Sequence, residues 1–209
     1  MIRIEILVEE PSAEEMLRCL LSKIIKGRGC SKMLNLGSKY NLLKVLPARL
    51  AAYRQRIEND ERIRIVVLVD RDSDDCEKLK GRLERMAGNA GLPTKTSPDL
   101  KGRFCVLNRI AVEELESWFI GDPAALQKAF IGLPKINPTA GIFRNPDNGG
   151  RWEALHRFLK KHHIYENSYP KIAAARRIAP HMEITANRSR SFKNFISGIE
   201  AILTDMGAT

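Results

Sequence analysis

The feature that most constrains this chain is the run Ile65-Val66-Val67-Leu68-Val69, which ends on Asp70-Arg71-Asp72. Five successive apolar residues imply a strand buried on both faces, as in parallel sheets covered by helices. The flanking sequence agrees. Residues 2–8 alternate and are β-branched, which reads as a strand. Ser12-Ala13-Glu14-Glu15 reads as a capping box with Ser12 at the N-cap, and Leu17, Leu20, Leu21, Ile24 and Ile25 then repeat at helical spacing until Gly27 and Gly29. A second strand is expected over 33–36, a helix over 40–59 interrupted or restarted at Pro47, and the central strand over 64–69. A helix over 74–90 and a strand over 103–112 follow. Such alternation predicts an α/β fold, a parallel sheet flanked by helices and joined by right-handed crossovers.

Residues 93–101 form a polar connection, and residues 134–150 are a Pro/Gly/Asn-rich loop. Helices are expected over 151–161 and 170–179. In the last helix, with Ser191 as N-cap, Phe192, Phe195, Ile196, Ile199, Ile202 and Leu203 make one apolar stripe that belongs to the core. The chain therefore divides into an α/β core over 1–132 and a loop and helical extension over 133–209 packed on it as one structural unit. There is no internal repeat and no low-complexity tract.

No apolar stretch approaches the roughly 18 residues that span a bilayer, so no membrane association is expected. The start, Met1-Ile2-Arg3-Ile4-Glu5, lacks a signal-peptide pattern, and a cytoplasmic location is the expectation. Cys19, Cys30, Cys76 and Cys105 are scattered without a C-x-x-C pair, which argues against a zinc knuckle or a disulfide framework. The net charge of +10 favours polyanionic partners such as nucleic acid. From Arg151 onward there are ten Lys/Arg against five Asp/Glu, so the excess is densest in the C-terminal part.

Ligands of open parallel sheets bind outside the carboxyl ends of the strands. Two expected strands end in acids there: Glu9 (with Glu10) and Asp70 with Asp72. In extended chain, residues i and i+2 point to one side, so Asp70 and Asp72 can address one ion. Carboxylate oxygens without His or Cys select Mg²⁺ or Mn²⁺, and clustered acids need a cation to stay ionised. A calcium EF-hand loop starting at Asp70 would need Gly and Glu where Asp75 and Gly81 stand. A D-x-D-x-[TV] phosphatase would need Thr or Val in place of Asp74. Walker A, G-x-G-x-x-G and G-x-S-x-G elements are absent. A third acidic cluster, Glu113-Glu114-Leu115-Glu116, follows the last strand. Glu114 and Glu116 share a face if the chain there is extended, Glu113 and Glu116 if it is helical. D-x-D after a strand is also a common turn into a helix, whose first turn suits acids.

Leu7-Val8-Glu9-Glu10-Pro11-Ser12-Ala13-Glu14 resembles the V-E-G-x-x-E element that opens Toprim domains, and Val69-Asp70-Arg71-Asp72 resembles their D-x-D element. More specifically, the chain resembles a bacterial family of uncharacterised Toprim-like proteins related to the overcoming-lysogenization-defect nucleases. That family has a G-x-K element (Gly37-Ser38-Lys39), an E-x-E-x-W-x-x-x-D element (Glu114 to Asp122), a Y-x-K segment (Tyr169-Pro170-Lys171) and an S-x-S-F start to the last helix (Ser189 to Phe192). The likeness covers nearly the whole chain and departs from the pattern at Glu10, where the family usually has Gly.

The resemblance implies a Toprim-like Rossmannoid sheet and Mg²⁺- or Mn²⁺-dependent nuclease chemistry on DNA or RNA. Carried over, Glu9, Asp70, Asp72 and Glu116 are the candidate catalytic residues, and these four with Glu114 are the candidate metal ligands. Two ions about 3.5–4 Å apart can clamp both attacking and leaving oxygens. Lys39, Lys171, Arg188 and Arg190 are candidate nucleic-acid contacts, and a partner protein is compatible with the family context. Arg71, between the aspartates, is expected to face away into a salt bridge. Two rival readings are a non-catalytic nucleic-acid-binding or defence-system subunit with a structural metal site, and a small-molecule phosphotransferase or phosphatase.

Overall fold

The computed structural model describes residues 3–148, 152–205 and 207; Ile2 of the first expected strand, the end of the 134–150 loop and Arg151 lie outside them. Four parallel strands, β1 (Arg3–Val8), β2 (Cys30–Asn35), β3 (Ile63–Asp70) and β4 (Val106–Ala111), lie in the order β2-β1-β3-β4. Helices α1 (Pro11–Ile25), α2 (Lys39–Glu58) and α3 (Cys76–Asn89) make the crossovers. The fold is Rossmann-like α/β. After β4 come α4 (Glu116–Ile120), α5 (Pro123–Ala129), α6 (Trp152–Lys161), α7 (Lys171–Ile178) and α8 (Arg190–Asp205).

Alternation along the strands sends their side chains into two cores. Ile4, Ile6, Val8, Val66, Leu68 and Leu107 pack with α1 and the C-terminal helices, whereas Leu7, Ile63, Ile65, Val67, Val69 and Val106 pack with α2 and α3. The apolar run of β3 is buried on both faces because each face has its own layer of helices. Phe192, Phe195, Ile199, Ile202 and Leu203 are fully buried in the first core, so α8 is structural.

Local details differ from the sequence expectations. Pro11 occupies the first helical position of α1, and Glu10, in extended backbone, precedes it without a side-chain cap. Ser12 is therefore inside the helix, and its hydroxyl donates to Glu10 Oε1 at 2.6 Å instead of capping. Residues 39–58 form one helix through Pro47, whose ring lies on the exposed face, where carbonyls left without a partner can meet water. The true cap of that helix is Ser38, which accepts from the Asn41 N–H. Strand β4 begins only at Val106, because residues 93–105 fold back and pair through the Thr94–Val106 bridge.

At the start of α8, Ser189 rather than Ser191 caps: its Oγ accepts from the Phe192 N–H at 3.1 Å. Asp147, from the polar loop, reaches the same turn and accepts from the Arg190 and Ser191 N–H groups at 2.6 and 3.2 Å and from both serine hydroxyls. Ser191 Oγ in turn accepts from Trp118 Nε1 at 2.9 Å, and Asn187 Nδ2 donates to the Trp118 carbonyl at 2.7 Å. The S-x-S-F and W-x-x-x-D elements are thus two halves of one buried network. Gly121 sits against it: an added methyl would collide with Asn187 Oδ1 and stand 2.9 Å from the Ser189 nitrogen. Gly121→Ala is expected to cost about 2–4 kcal/mol of stability, checked by urea unfolding; a loss below 0.5 kcal/mol would show that the network yields freely.

Candidate functional site

The carboxyl ends of β1 and β3 lie side by side, since Val8 is in register with Leu68. This places Glu9 next to Asp70, and the Glu9 Oε1 accepts the Asp70 N–H. After Asp70 the chain turns sharply. Asp72 has φ 51°, the left-handed region, and its N–H donates at 2.8 Å to the carbonyl of Glu113, itself at φ 62° after β4. Two non-glycine residues held there mark a turn shaped by its surroundings. It gathers the acids of three strand ends.

Asp70 and Glu9 are buried, and Glu116, at the start of α4, is fully buried with neither carboxylate oxygen hydrogen-bonded. Glu114 is buried beside it, its Oε2 accepting from the Trp152 N–H at 3.3 Å. The chain here is neither extended nor helical throughout: Glu113 is left-handed and Leu115 turns into α4, so Glu114 and Glu116 are both buried while Glu113 faces Arg71 at 3.6 Å. Arg71 forms the structural pair anticipated for it. Glu10, at the departure from the family pattern, has φ −139°, which any residue adopts, so no glycine is needed there.

Among the described residues, two lysines answer these acids. Lys39 Nζ lies 2.5 Å from Asp72 Oδ2 and 3.0 Å from Asp74 Oδ2, and it donates to the Arg71 carbonyl. Lys171 Nζ lies 3.5 Å from Glu10 and 3.8 Å from Glu114. The balance leaves Glu9, Glu10, Asp70, Asp72, Glu114 and Glu116 against two ammonium groups.

The electrostatic result follows. Burial, against the opposing Asp70 N–H and Lys39, pushes Glu9 up from an ordinary 4.5 to about 7. Burial likewise raises Glu116 to about 7 despite Lys171. Asp70 is raised well above its usual range by burial and then by Glu9 and Glu116. Glu114 is raised by burial, with Lys171 and the Trp152 N–H opposing. For Lys171 burial works downward, but Glu116, Glu10 and Glu114 leave its pKa raised. Lys39 behaves the same way: burial pulls down, and Asp72 and Asp74 prevail.

As the side chains stand, no group of three or more His, Cys, Asp or Glu among the described residues is arranged to hold a metal ion. Asp72 is drawn to Lys39, and one oxygen of Glu9 is spent on the Asp70 N–H. The donor set, all oxygen, is of the kind that suits Mg²⁺ or Mn²⁺, and both buried Glu116 oxygens lack a hydrogen-bond partner.

Of the basic candidates, Lys39 and Lys171 are in this basin. Arg188 is not: its guanidinium donates to the carbonyls of Pro138 and Phe143, which pins the polar loop. Arg190 lies at the start of α8, exposed. Asp122 caps α5 through the Ala125 N–H and also accepts the Glu183 N–H. A residue not assigned from sequence joins the basin. Tyr169, buried with its hydroxyl unpartnered, senses Glu116 and is pushed well above the tyrosine range, chiefly by burial. Its ring stacks on Trp152 at 6.0 Å. The only sequence signal for it was its place two residues before Lys171.

Acids raised in the fold contribute stability fully below their unfolded value near 4.5 and lose that contribution as pH rises through about 7. In EDTA, stability is therefore expected to fall between pH 5 and 8. Glu9→Gln and Glu116→Gln should each flatten the fall by on the order of 3 kcal/mol. Thermal or urea unfolding across that range checks it, and wild-type slopes in both variants would refute the raised acids.

A family model described as a domain of unknown function (DUF4276) matches residues 8–200. No curated protein and no solved structure matches the chain.

Proposed function

The chain belongs to the DUF4276 family, and from its acidic basin we propose a Mg²⁺- or Mn²⁺-dependent nuclease that hydrolyses phosphodiester bonds of DNA or RNA. The observation that carries this reading is the excess of buried carboxyl groups over lysines at the carboxyl ends of β1 and β3, with Glu116 fully buried and unpartnered. The motif order resembling Toprim domains supports it, and so does the net charge of +10.

Glu9, Asp70, Asp72 and Glu116 would hold the ion, with Glu114 beside them. When bound, such an ion neutralises phosphate oxygens and lowers the pKa of a coordinated water. The protein's own groups do the rest. Glu9, with a pKa of about 7, is matched to holding or passing a proton near neutrality. Lys39 holds Asp72 and Asp74 in place at the turn. Lys171 lies on the opposite side, against Glu10 and Glu114. No helix among the described residues is long and apolar enough to cross a membrane, and we place the activity in the cytoplasm, where a partner protein is compatible with it.

One observation favours a second reading, a non-catalytic nucleic-acid-binding subunit whose acids serve structure: the Lys39–Asp72 pair keeps a ligand engaged elsewhere. Plasmid and RNA degradation with Mg²⁺, Mn²⁺ or EDTA separates the two. Wild type should cut with either metal, Asp70→Asn/Asp72→Asn should fall to background, and Glu9→Gln should lose at least about 10²-fold. Equal nicking by wild type and the double variant would defeat the nuclease assignment. Metal binding is read apart from cutting, as a rise in melting temperature with Mn²⁺ that the double variant lacks.

A further inference from the structure

On the outer side of β4 lies a groove of about 590 Å³, walled by Cys76 and Lys80 of α3 and by Arg190, Ser191 and Asn194 of α8, with Asn108 to Ile110 along its floor. Strand β4 is an edge of the sheet, so the groove could in principle take an added strand. It is closed to one. The outward carbonyl of Asn108 already accepts from Lys80 Nζ at 2.8 Å and from Arg109 Nη1 at 3.0 Å. What the groove offers instead is positive charge and amides.

Lys80, Arg109 and Arg190 line it, with Asn145, Asn148 and Asn194 between them. The one acid in the lining, Asp147, is consumed by the serine hydroxyls and N–H groups at the start of α8. Lys80 has a carboxylate partner, Glu84 at 2.7 Å. Arg109 makes no ion pair among the described residues: its hydrogen bonds go to the carbonyls of Asn194 and Asn108, and burial lowers its pKa against the more distant charge of Glu84, which Lys80 already engages. Arg190 likewise has no carboxylate at ion-pair distance among the described residues. A half-buried guanidinium with no anion in direct contact is costly, and an incoming anion would relieve it.

The groove lies one residue from the turn that bounds the acidic basin. Val112 is part of its lining, and the next residue, Glu113, holds the Asp72 N–H on its carbonyl. We propose that this groove binds the sugar-phosphate backbone of a nucleic acid, with Arg109 and Arg190 on phosphates next to the one addressed by the acids. This rests on the phosphodiester reading of the basin and names the track that its substrate follows.

The test uses Arg190→Glu/Asn194→Glu, two exposed positions in the first two turns of α8. Both side chains are exposed, so circular dichroism should be unchanged and the melting temperature should move by no more than about 2 °C. Binding is measured in EDTA by fluorescence anisotropy on the Asp70→Asn background, with single-stranded DNA, duplex and RNA of one sequence, across a salt series. The double variant is expected to weaken binding on the order of tenfold and to reduce the salt slope by about 1–2. Unchanged affinity and slope, or no binding by the parent protein, would overturn the proposal. Complete displacement by millimolar inorganic phosphate would overturn it too, in favour of an isolated anion site. A protein that binds through the groove yet never cuts would refute the nuclease reading and leave the groove assignment standing.

Discussion

Everything in this structure is arranged around negative charge kept out of water. Parallel strands end on the same side of a sheet, and a sheet buried on both faces leaves those ends as the place where polar groups can gather. Here three of the four strand ends deliver acids to that place, and the helices that cover the sheet remove much of the water that would stabilise them. The protein answers with two lysines, two backbone N–H groups and the Ser12 hydroxyl, which is too little. The remaining imbalance is stored as raised proton affinity in Glu9, Asp70, Glu114 and Glu116. Buried acids without a full set of partners cost stability, so such a cluster is expected where a cation or a reaction needs it.

Support for the cluster comes from far along the chain. Glu116 opens α4, and α4 is fixed by Trp118, whose indole N–H is held by Ser191 and whose ring lies between Phe192 and Phe195. Lys171 and Tyr169 approach from the segment at the start of α7. Asp147 joins the polar loop to the first turn of α8. The extension beyond residue 132 therefore supplies one wall of the basin and the frame for another.

The fold was legible because its signals are local and strong: β-branched runs, helical periodicity and turn residues specified the four strands and α1, α2, α3, α6, α7 and α8 to within a few positions, whereas the short α4 and α5 were not anticipated. Where the sequence misled, a local rule met a competing one. Ser12 and Ser191 are good caps by type, but Pro11 claims the first turn of α1 and Ser189 with Asp147 claims that of α8. At the site, Glu9, Asp70 and Asp72 could be placed from strand position, whereas the burial of both Glu114 and Glu116 comes from a turn into α4 that neither the extended nor the helical alternative described. Arg188 was misplaced because a basic residue looks the same whether it meets phosphate or carbonyl oxygens. The burial of Tyr169 and the groove beside β4 depend on which helices touch, which periodicity does not encode.

The indole-to-serine contact has a temporal consequence. It joins residues 73 apart in sequence, and the Trp152 contact to Glu114 spans a further 38. During synthesis, β1 to β4 can pair as they emerge, but Glu116 has no fixed position until residue 192 has cleared the ribosome. The acidic basin therefore assembles after the sheet, and a chain that stops short of α8 carries the acids without the contact that holds α4 and Glu116 in place.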